Sequence, residues 1–197
     1  MDKNAENWRQ FYNKALRRPH TPRTERAITL NQSGSRIAVD CGCGTGSDIQ
    51  FLASQDYTVH AFDINSDAIT ICRERFEAHA PIFLTQASFE TFTYPQCGVL
   101  IANSSLFFAD PDTFTSTWQR LVASLASGGV FAGDFMGVKD SWAENYRSPT
   151  APVTRTQLAS LLADFDIIEW NERDAQGTTM LGFEKHWHTY SVLAIKR

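Results

Sequence analysis

The stretch Ile37-Ala-Val-Asp-Cys-Gly-Cys-Gly-Thr-Gly-Ser-Asp48 constrains the fold more than any other part of the chain. An apolar run ends in Asp40, glycines follow at 42, 44 and 46, and Ile49, Leu52 and Ala53 then recur at helical spacing. Strand, glycine turn and helix in that order bring main-chain amides close to a ligand, because glycine adopts the required torsions and leaves no side chain in the way. Val59-His-Ala-Phe-Asp-Ile64 reads as the next strand, and its acid, Asp63, stands 23 residues after Asp40. A carboxylate there accepts hydrogen bonds from ribose hydroxyls. Turn and acid together point to a nucleoside-bearing cofactor.

The 197 residues suffice for one well-buried domain and are too few for two full ones. Trp8, Phe11, Tyr12, Ala15 and Leu16 follow an amphipathic helical period, and His20-Thr-Pro22 breaks it before a second short helix over 25–30. Strand and helix then alternate: strand 36–40, helix 46–54, strand 57–62, helix 66–78, strand 82–86, strand 98–102 and a helix over 111–126. Asp110-Pro111 has the composition of a helix start, and Gly128-Gly129 that of a stop before a strand over 130–135. Residues 136–153 form a long connection, Leu158, Leu161, Leu162 and Phe165 mark a further helix, and short strands over 166–172 and 188–195 flank a polar loop. The expected fold is α/β: a Rossmann-like, doubly wound, mostly parallel sheet, its two last strands antiparallel at an edge, with residues 1–34 as a helical cap on a core of 35–197.

Net charge of −4 and a pI near 5.7 argue against a large nucleic-acid surface. No segment has the apolar length of a membrane span and the N-terminus is no signal peptide, so a cytoplasmic protein is expected. Lys3, Arg9, Lys14, Arg17, Arg18, Arg23 and Arg26 crowd the first 26 residues; a solvated helix face is the plainer reading, a cationic lip for an anionic ligand the sharper one. Cys41, Cys43, Cys72 and Cys97 fit reduced thiols with no metal role. His186 and His188 have the spacing of metal ligands on one sheet face but lack an evident third ligand, and Asp134 reads as a loop cap more readily than as a base.

In open α/β sheets ligands sit beyond the carboxyl ends of the strands, at the switch in strand order. That gathers the turn 40–47, Asp63, Gln86-Ala-Ser-Phe89 and Ile101-Ala-Asn-Ser-Ser-Leu106 around one crevice. Ser88 offers a hydrogen bond and Phe89 an apolar wall for a base, and Asn103 an amide at the mouth.

With these residues the chain resembles the class I S-adenosylmethionine-dependent methyltransferases. The likeness rests on Val39-Asp-Cys-Gly-Cys-Gly-Thr-Gly46, Phe62-Asp-Ile64, Gln86-Ala-Ser-Phe89, Ile101-Ala-Asn103 and Gly128-Gly-Val-Phe131. It implies a seven-stranded sheet with an antiparallel last strand, S-adenosylmethionine as cofactor and S-adenosylhomocysteine as product. The implied cofactor residues are Asp40, Gly42, Cys43, Gly44, Gly46, Asp63, Ile64, Ser88, Phe89 and Asn103; Ser88 stands where the family usually carries an acid. Trp8…Tyr12 with Pro19 and Pro22, Ser105-Leu-Phe-Phe-Ala-Asp-Pro111 and Phe135-Met-Gly-Val-Lys-Asp-Ser-Trp142 look like the small-molecule, tellurite-resistance and thiopurine-like branch. In that branch the N-terminal helix closes over the site. Trp8, Tyr12, Ser105, Phe108 and Trp142 are the candidate lining of the acceptor pocket.

The expected partner is a small-molecule methyl acceptor, and the expected state a monomer or homodimer. A nicotinamide dehydrogenase is the rival enzyme, but its third glycine would fall at Ser47. A protein or nucleic-acid methyltransferase often carries Asn-Pro-Pro-aromatic where this chain has Asn103-Ser-Ser-Leu106. A non-catalytic S-adenosylmethionine-binding module is the remaining alternative.

Overall fold

The computed structural model describes residues 3–76, 81–146 and 148–197. Strands β1 (Ile37–Cys41), β2 (Thr58–Asp63), β3 (Ile82–Gln86), β4 (Cys97–Ala102) and β5 (Leu125–Gly137) run parallel in the order β3-β2-β1-β4-β5. The sheet continues through β8 (Glu184–Lys196), antiparallel to β5, to β7 (Phe165–Thr178) at the edge. The central strands are apolar on both sides because both sides are covered. Ala38, Val99 and Ile101 face a core with α2 (Pro22–Leu30), α3 (Ser47–Ser54) and α4 (Ser66–Phe76). Val39, Leu100 and Phe131 face the opposite core with α5 (Phe114–Ser124) and α7 (Arg155–Leu161). Trp118 of α5 sits edge-on to Phe131 and donates its indole N–H to the Leu161 carbonyl of α7 at 2.8 Å.

β1 pairs with β2 on one side and β4 on the other, so the strand order turns at the end of β1. The crevice therefore opens above Asp40, as the sequence implies. Helix α1 (Lys3–Ala15) and α2 precede the sheet; Ser47 donates to the Arg18 carbonyl and the Thr21 amide to Asp48, which ties their linker to the first turn of α3.

Several boundaries differ from expectation for identifiable reasons. The sheet has eight strands rather than seven, because β4 pairs with β5 only as far as Gly133. The short β6 (Pro152–Val153) occupies the edge left open at Met136 and Gly137, inside what reads as an irregular connection. Trp142–Asn145 of that connection forms one helical turn, α6. Helix α2 starts at Pro22, whose ring suits the first turn. Helix α5 starts at Phe114, not 111, because Asp110 closes a local turn on the Asp112 amide instead of capping the helix. It ends at Ser124, and β5 begins at once, with Gly128 at φ +75° beside a register shift in its pairing with β4. Finally, β7 and β8 run to 14 and 13 residues and replace the expected polar loop with a long hairpin.

Candidate active site

The glycine turn is fastened from below. Gly42 and Cys43 both donate to the Phe62 carbonyl of β2, at 2.8 and 2.9 Å, and Gly46 donates to the Cys43 carbonyl at 2.9 Å. Gly42, Gly44 and Gly46 have φ of +70°, +54° and +80°. A Cβ on Gly42 would stand 2.5 Å from the Ser105 Cβ, and one on Gly46 2.6 Å from the Phe76 ring. A Cβ on Gly44 would meet nothing within 4 Å. Gly44 is thus the glycine that faces open space at the crevice.

Asp63 ends β2 and reaches this turn. Its two carboxylate oxygens accept the Gly44 and Asn65 amides, each at 2.9 Å. Burial raises its pKa against the pull of those amides. Asp40 is different. It is 4% exposed at the end of β1, and its Oδ2 has no hydrogen-bond partner among the described residues. Burial, and then the Asp48 carboxylate, push its carboxyl well above the usual range. A buried carboxylate oxygen without a partner is costly, and a cationic ligand group placed against it would relieve that cost. Next to Asp63, Ile64 is 71% exposed and offers an apolar surface.

Ser88 hydrogen-bonds Thr91 within a turn after β3. Phe89, expected as a wall of the crevice, instead turns into the core, where it packs edge-on against Phe62 at 5.2 Å. The Asn103 side chain is also not free at the mouth. Its carbonyl accepts from Arg23 at 2.7 Å, and its amide donates to Thr24 and Asp48. Arg23 also pairs with Asp134 at 2.8 Å, with side-chain exposures of 13% and 11%. Asp134 further accepts the Ser104 amide and the Ser191 hydroxyl, so it caps a loop and anchors an ion pair rather than standing as a free base. Arg23 therefore belongs to the interior, not to a solvated face. Sequence reading missed this network because its bonded partners lie up to 111 positions apart.

The acceptor candidates separate. Ser105 is buried and donates to the Cys41 carbonyl at 2.5 Å, which makes it a strut beneath the turn. Tyr12 is buried; burial, and then the nearby Asp63 carboxylate, raise its phenol. The Trp8 side chain lies outside the described residues. Phe108 and Trp142 do come together, 6.2 Å between ring centres, and Tyr146 joins them at 5.4 and 4.7 Å. Trp142 and Tyr146 line, with Glu144, a depression of about 320 Å³. Below Trp142 the fully buried Lys185 ammonium lies 4.4 Å from its ring and is paired with Asp140, which also accepts the Trp142 amide. Tyr146, Lys185 and Asp140 carry no sequence pattern that sets them apart.

Glu172, Asp174 and His188 bring three potential ligand atoms within 4.8 Å of one another on the β7–β8 hairpin. They form an ion-pair ladder: Arg155 holds Glu172, Lys139 and His186 hold Asp174, and His188 Nδ1 accepts the Lys139 amide. His188 Nε2 then carries the proton and donates to Glu172, which leaves no imidazole lone pair for a metal.

Residues 38–129 match the model of a methyltransferase domain. This segment contains the turn, Asp40, Asp63 and Asn103. The match spans just under half of the chain and supports the methyltransferase class that the sequence resembles. In fold the chain is similar to TehB from Haemophilus influenzae (TM-score 0.72, 18% identity, 90% of this chain and 62% of that one). It is also similar to the N-methyltransferase NodS from Bradyrhizobium japonicum (TM-score 0.65, 15% identity, 89% and 94%). A third likeness is to 1,6-didemethyltoxoflavin-N1-methyltransferase from Burkholderia thailandensis, solved with 1,6-didemethyltoxoflavin and S-adenosylhomocysteine (TM-score 0.63, 16% identity, 92% and 78%). The chain spans less than two thirds of the length of TehB. No curated protein sequence matches it significantly. Among the described residues no helix is long and apolar enough to cross a membrane.

Proposed function

We propose that the protein transfers a methyl group to a small-molecule nucleophile bound beside Phe108, Trp142 and Tyr146. The observation that carries the cofactor half of this reading is the unpartnered, buried Oδ2 of Asp40 at the end of β1, where the turn whose Gly44 faces open space begins. Asp40 suits the α-ammonium of the methionine moiety, the amides of the turn suit close approach of that moiety, Asp63 suits the ribose and Ile64 the adenine. When bound, the sulfonium supplies an already activated methyl group, so that no activation step is required of the protein. What remains for the chain is to align the nucleophile with the carbon–sulfur bond and exclude water. Alignment of two reactants supplies on the order of 7–11 kcal/mol.

The small-molecule half rests on the aromatic surface at Trp142 and on the neighbours, of which NodS is an N-methyltransferase and the toxoflavin enzyme acts on a small heterocycle. The test is calorimetric titration with S-adenosylmethionine and S-adenosylhomocysteine, with NAD as control, followed by an acceptor screen of small amines, thiols and heterocycles. Micromolar binding of the first two without NAD, and turnover with a small nucleophile, is the expected result. NAD binding alone overturns the cofactor assignment. Cofactor binding with methylation only of protein or nucleic acid overturns the acceptor class.

A further inference from the structure

We infer that the methyl acceptor is an amine, whose nitrogen is held between the rings of Trp142 and Tyr146 and the Glu144 carboxylate. The inference rests on the depression at Trp142 being the acceptor site, and it adds the charge class of what enters. Trp142, Glu144 and Tyr146 line this depression of about 320 Å³, and Phe108 backs the two rings. Phe108 follows β4 and Trp142 follows β5, so the depression lies at the same carboxyl end of the sheet as the glycine turn after β1. The three rings are half-buried and tilted 37–42° to one another, with centres 4.7–6.2 Å apart. Ring surface is thus left turned outward at the corner.

The charges of this corner are unequal. Glu144 is exposed and pairs with no cation among the described residues. The neighbouring Lys139 and Lys185 are already committed, to Asp174 and Asp140. Lys185 does not oppose a cation in the depression. Its ammonium is fully buried beneath Trp142, takes no part in the lining and is neutralised by Asp140. Asp140 also accepts the Trp142 amide at 2.9 Å, and Thr150 donates to the Trp142 carbonyl at 3.0 Å, so the main chain behind this ring is fixed. Electron-rich ring faces and one unpaired carboxylate attract a cation, and they repel a thiolate or a carboxylate.

The same charges favour nitrogen as the accepting atom. The lone pair of a neutral amine forms the new N–C bond, the C–S bond breaks, and its electron pair goes to sulfur. Positive charge therefore passes from the sulfonium to the nitrogen, and an N–H proton of the product ammonium leaves to water. A carboxylate and ring faces at that nitrogen stabilise charge that grows along the reaction.

The test titrates the full chain, with and without saturating S-adenosylhomocysteine, with benzyltrimethylammonium as the cationic probe, benzoate as the anionic one and benzyl alcohol as the uncharged control. Calorimetry and tryptophan emission are the readouts. Benzyltrimethylammonium should bind saturably, about tenfold tighter than benzyl alcohol, and benzoate more weakly than either. Glu144→Gln should weaken the cation about threefold, the size of effect an exposed carboxylate supports, and Glu144→Lys should reverse the preference toward benzoate. Glu144 is exposed, so both variants should melt like the parent. In the acceptor screen, amines should be methylated in preference to thiols. Equal affinity for all three probes, no saturable binding of any, a preference of the parent for benzoate, an unchanged Glu144→Gln, or turnover confined to thiols or carboxylates each overturns the inference. Failure of S-adenosylhomocysteine to bind instead removes the cofactor reading, while the titrations without it still report on the corner at Trp142.

Discussion

The Gly44 amide donates to the Asp63 carboxylate at 2.9 Å, so the residue facing open space in the turn and the acid at the end of the next strand are one unit. The acid that suits the ribose also holds the loop that suits the methionine moiety. Asp63→Ala should therefore do two things, weakening S-adenosylhomocysteine by about 1.5–3 kcal/mol and loosening the turn. Asp63→Asn keeps an oxygen for the Gly44 amide and loses only the charge. Calorimetry and thermal melts on both variants separate the effects: Asn should melt close to the parent yet bind weakly, and Ala should be impaired in both. Unchanged affinity in Asp63→Asn and Asp63→Ala would remove Asp63 from the cofactor site.

Two glycines of the same turn should respond oppositely to alanine. Gly44→Ala adds a methyl group into open space, and its φ of +54° sets a stability cost of roughly 1–2 kcal/mol. The methyl group would stand where the ligand approaches, so affinity should drop by tenfold or more. Gly46→Ala carries the same backbone cost and forces a Cβ to 2.6 Å from the Phe76 ring, so it should lose distinctly more stability. Urea unfolding together with cofactor titration checks the pair; equal stability losses would contradict the packing described for Phe76.

Arg23 and Asp134 join α2 to the end of β5 through a largely buried ion pair. Arg23→Leu leaves Asp134 without its counter-charge and should cost about 3–5 kcal/mol in urea unfolding. Adding Asp134→Asn removes the stranded charge and should restore part of that loss, a non-additivity that a double-mutant cycle measures. Strict additivity would show that the pair is not coupled.

The strands β1 and β2, the glycine turn and Asp63 were legible because their signals are local: an apolar run, a fixed glycine spacing, an acid at a strand end. What escaped is non-local. The far part of the β7–β8 hairpin, beyond 172 and before 188, reads as loop because it is polar, yet Asp174 bonds across the strands to His186. Asn103 and Ser105 read as crevice residues because they follow a strand, yet Arg23 and the Cys41 carbonyl, distant in sequence, take up their polar groups. Phe89 reads as a wall, but the aromatic cluster of Phe62, Phe92 and Tyr94 draws it inward. The periodicity of α1 shows that Tyr12 is buried; it does not show that its phenol lies near Asp63.

Asp40 should trade stability for binding, and pH exposes the trade. Its folded pKa lies well above the ordinary 3.8, so between those values the folded state holds more protons than the unfolded one. The stability contributed by the protonated group is full below about 3.8 and is lost as pH rises through the folded pKa. Asp40→Asn removes this loss: its melting temperature should match the parent near pH 4 and exceed it at pH 7.5, where the gain is about 1–3 kcal/mol. Binding moves the other way. An ammonium against Asp40 requires the ionised carboxylate, so S-adenosylhomocysteine affinity of the parent should fall as pH is lowered, with release of a proton on binding. In Asp40→Asn the affinity should be lower throughout and its pH dependence shallower, leaving the smaller contribution of Asp63, whose pKa is raised in the same direction. Calorimetry in buffers of different ionisation enthalpy counts the released protons. An Asp40→Asn variant that is destabilised at pH 7.5, or that binds with the parent's pH dependence, would mean that this carboxylate has a protein partner and is not held ready for a cation.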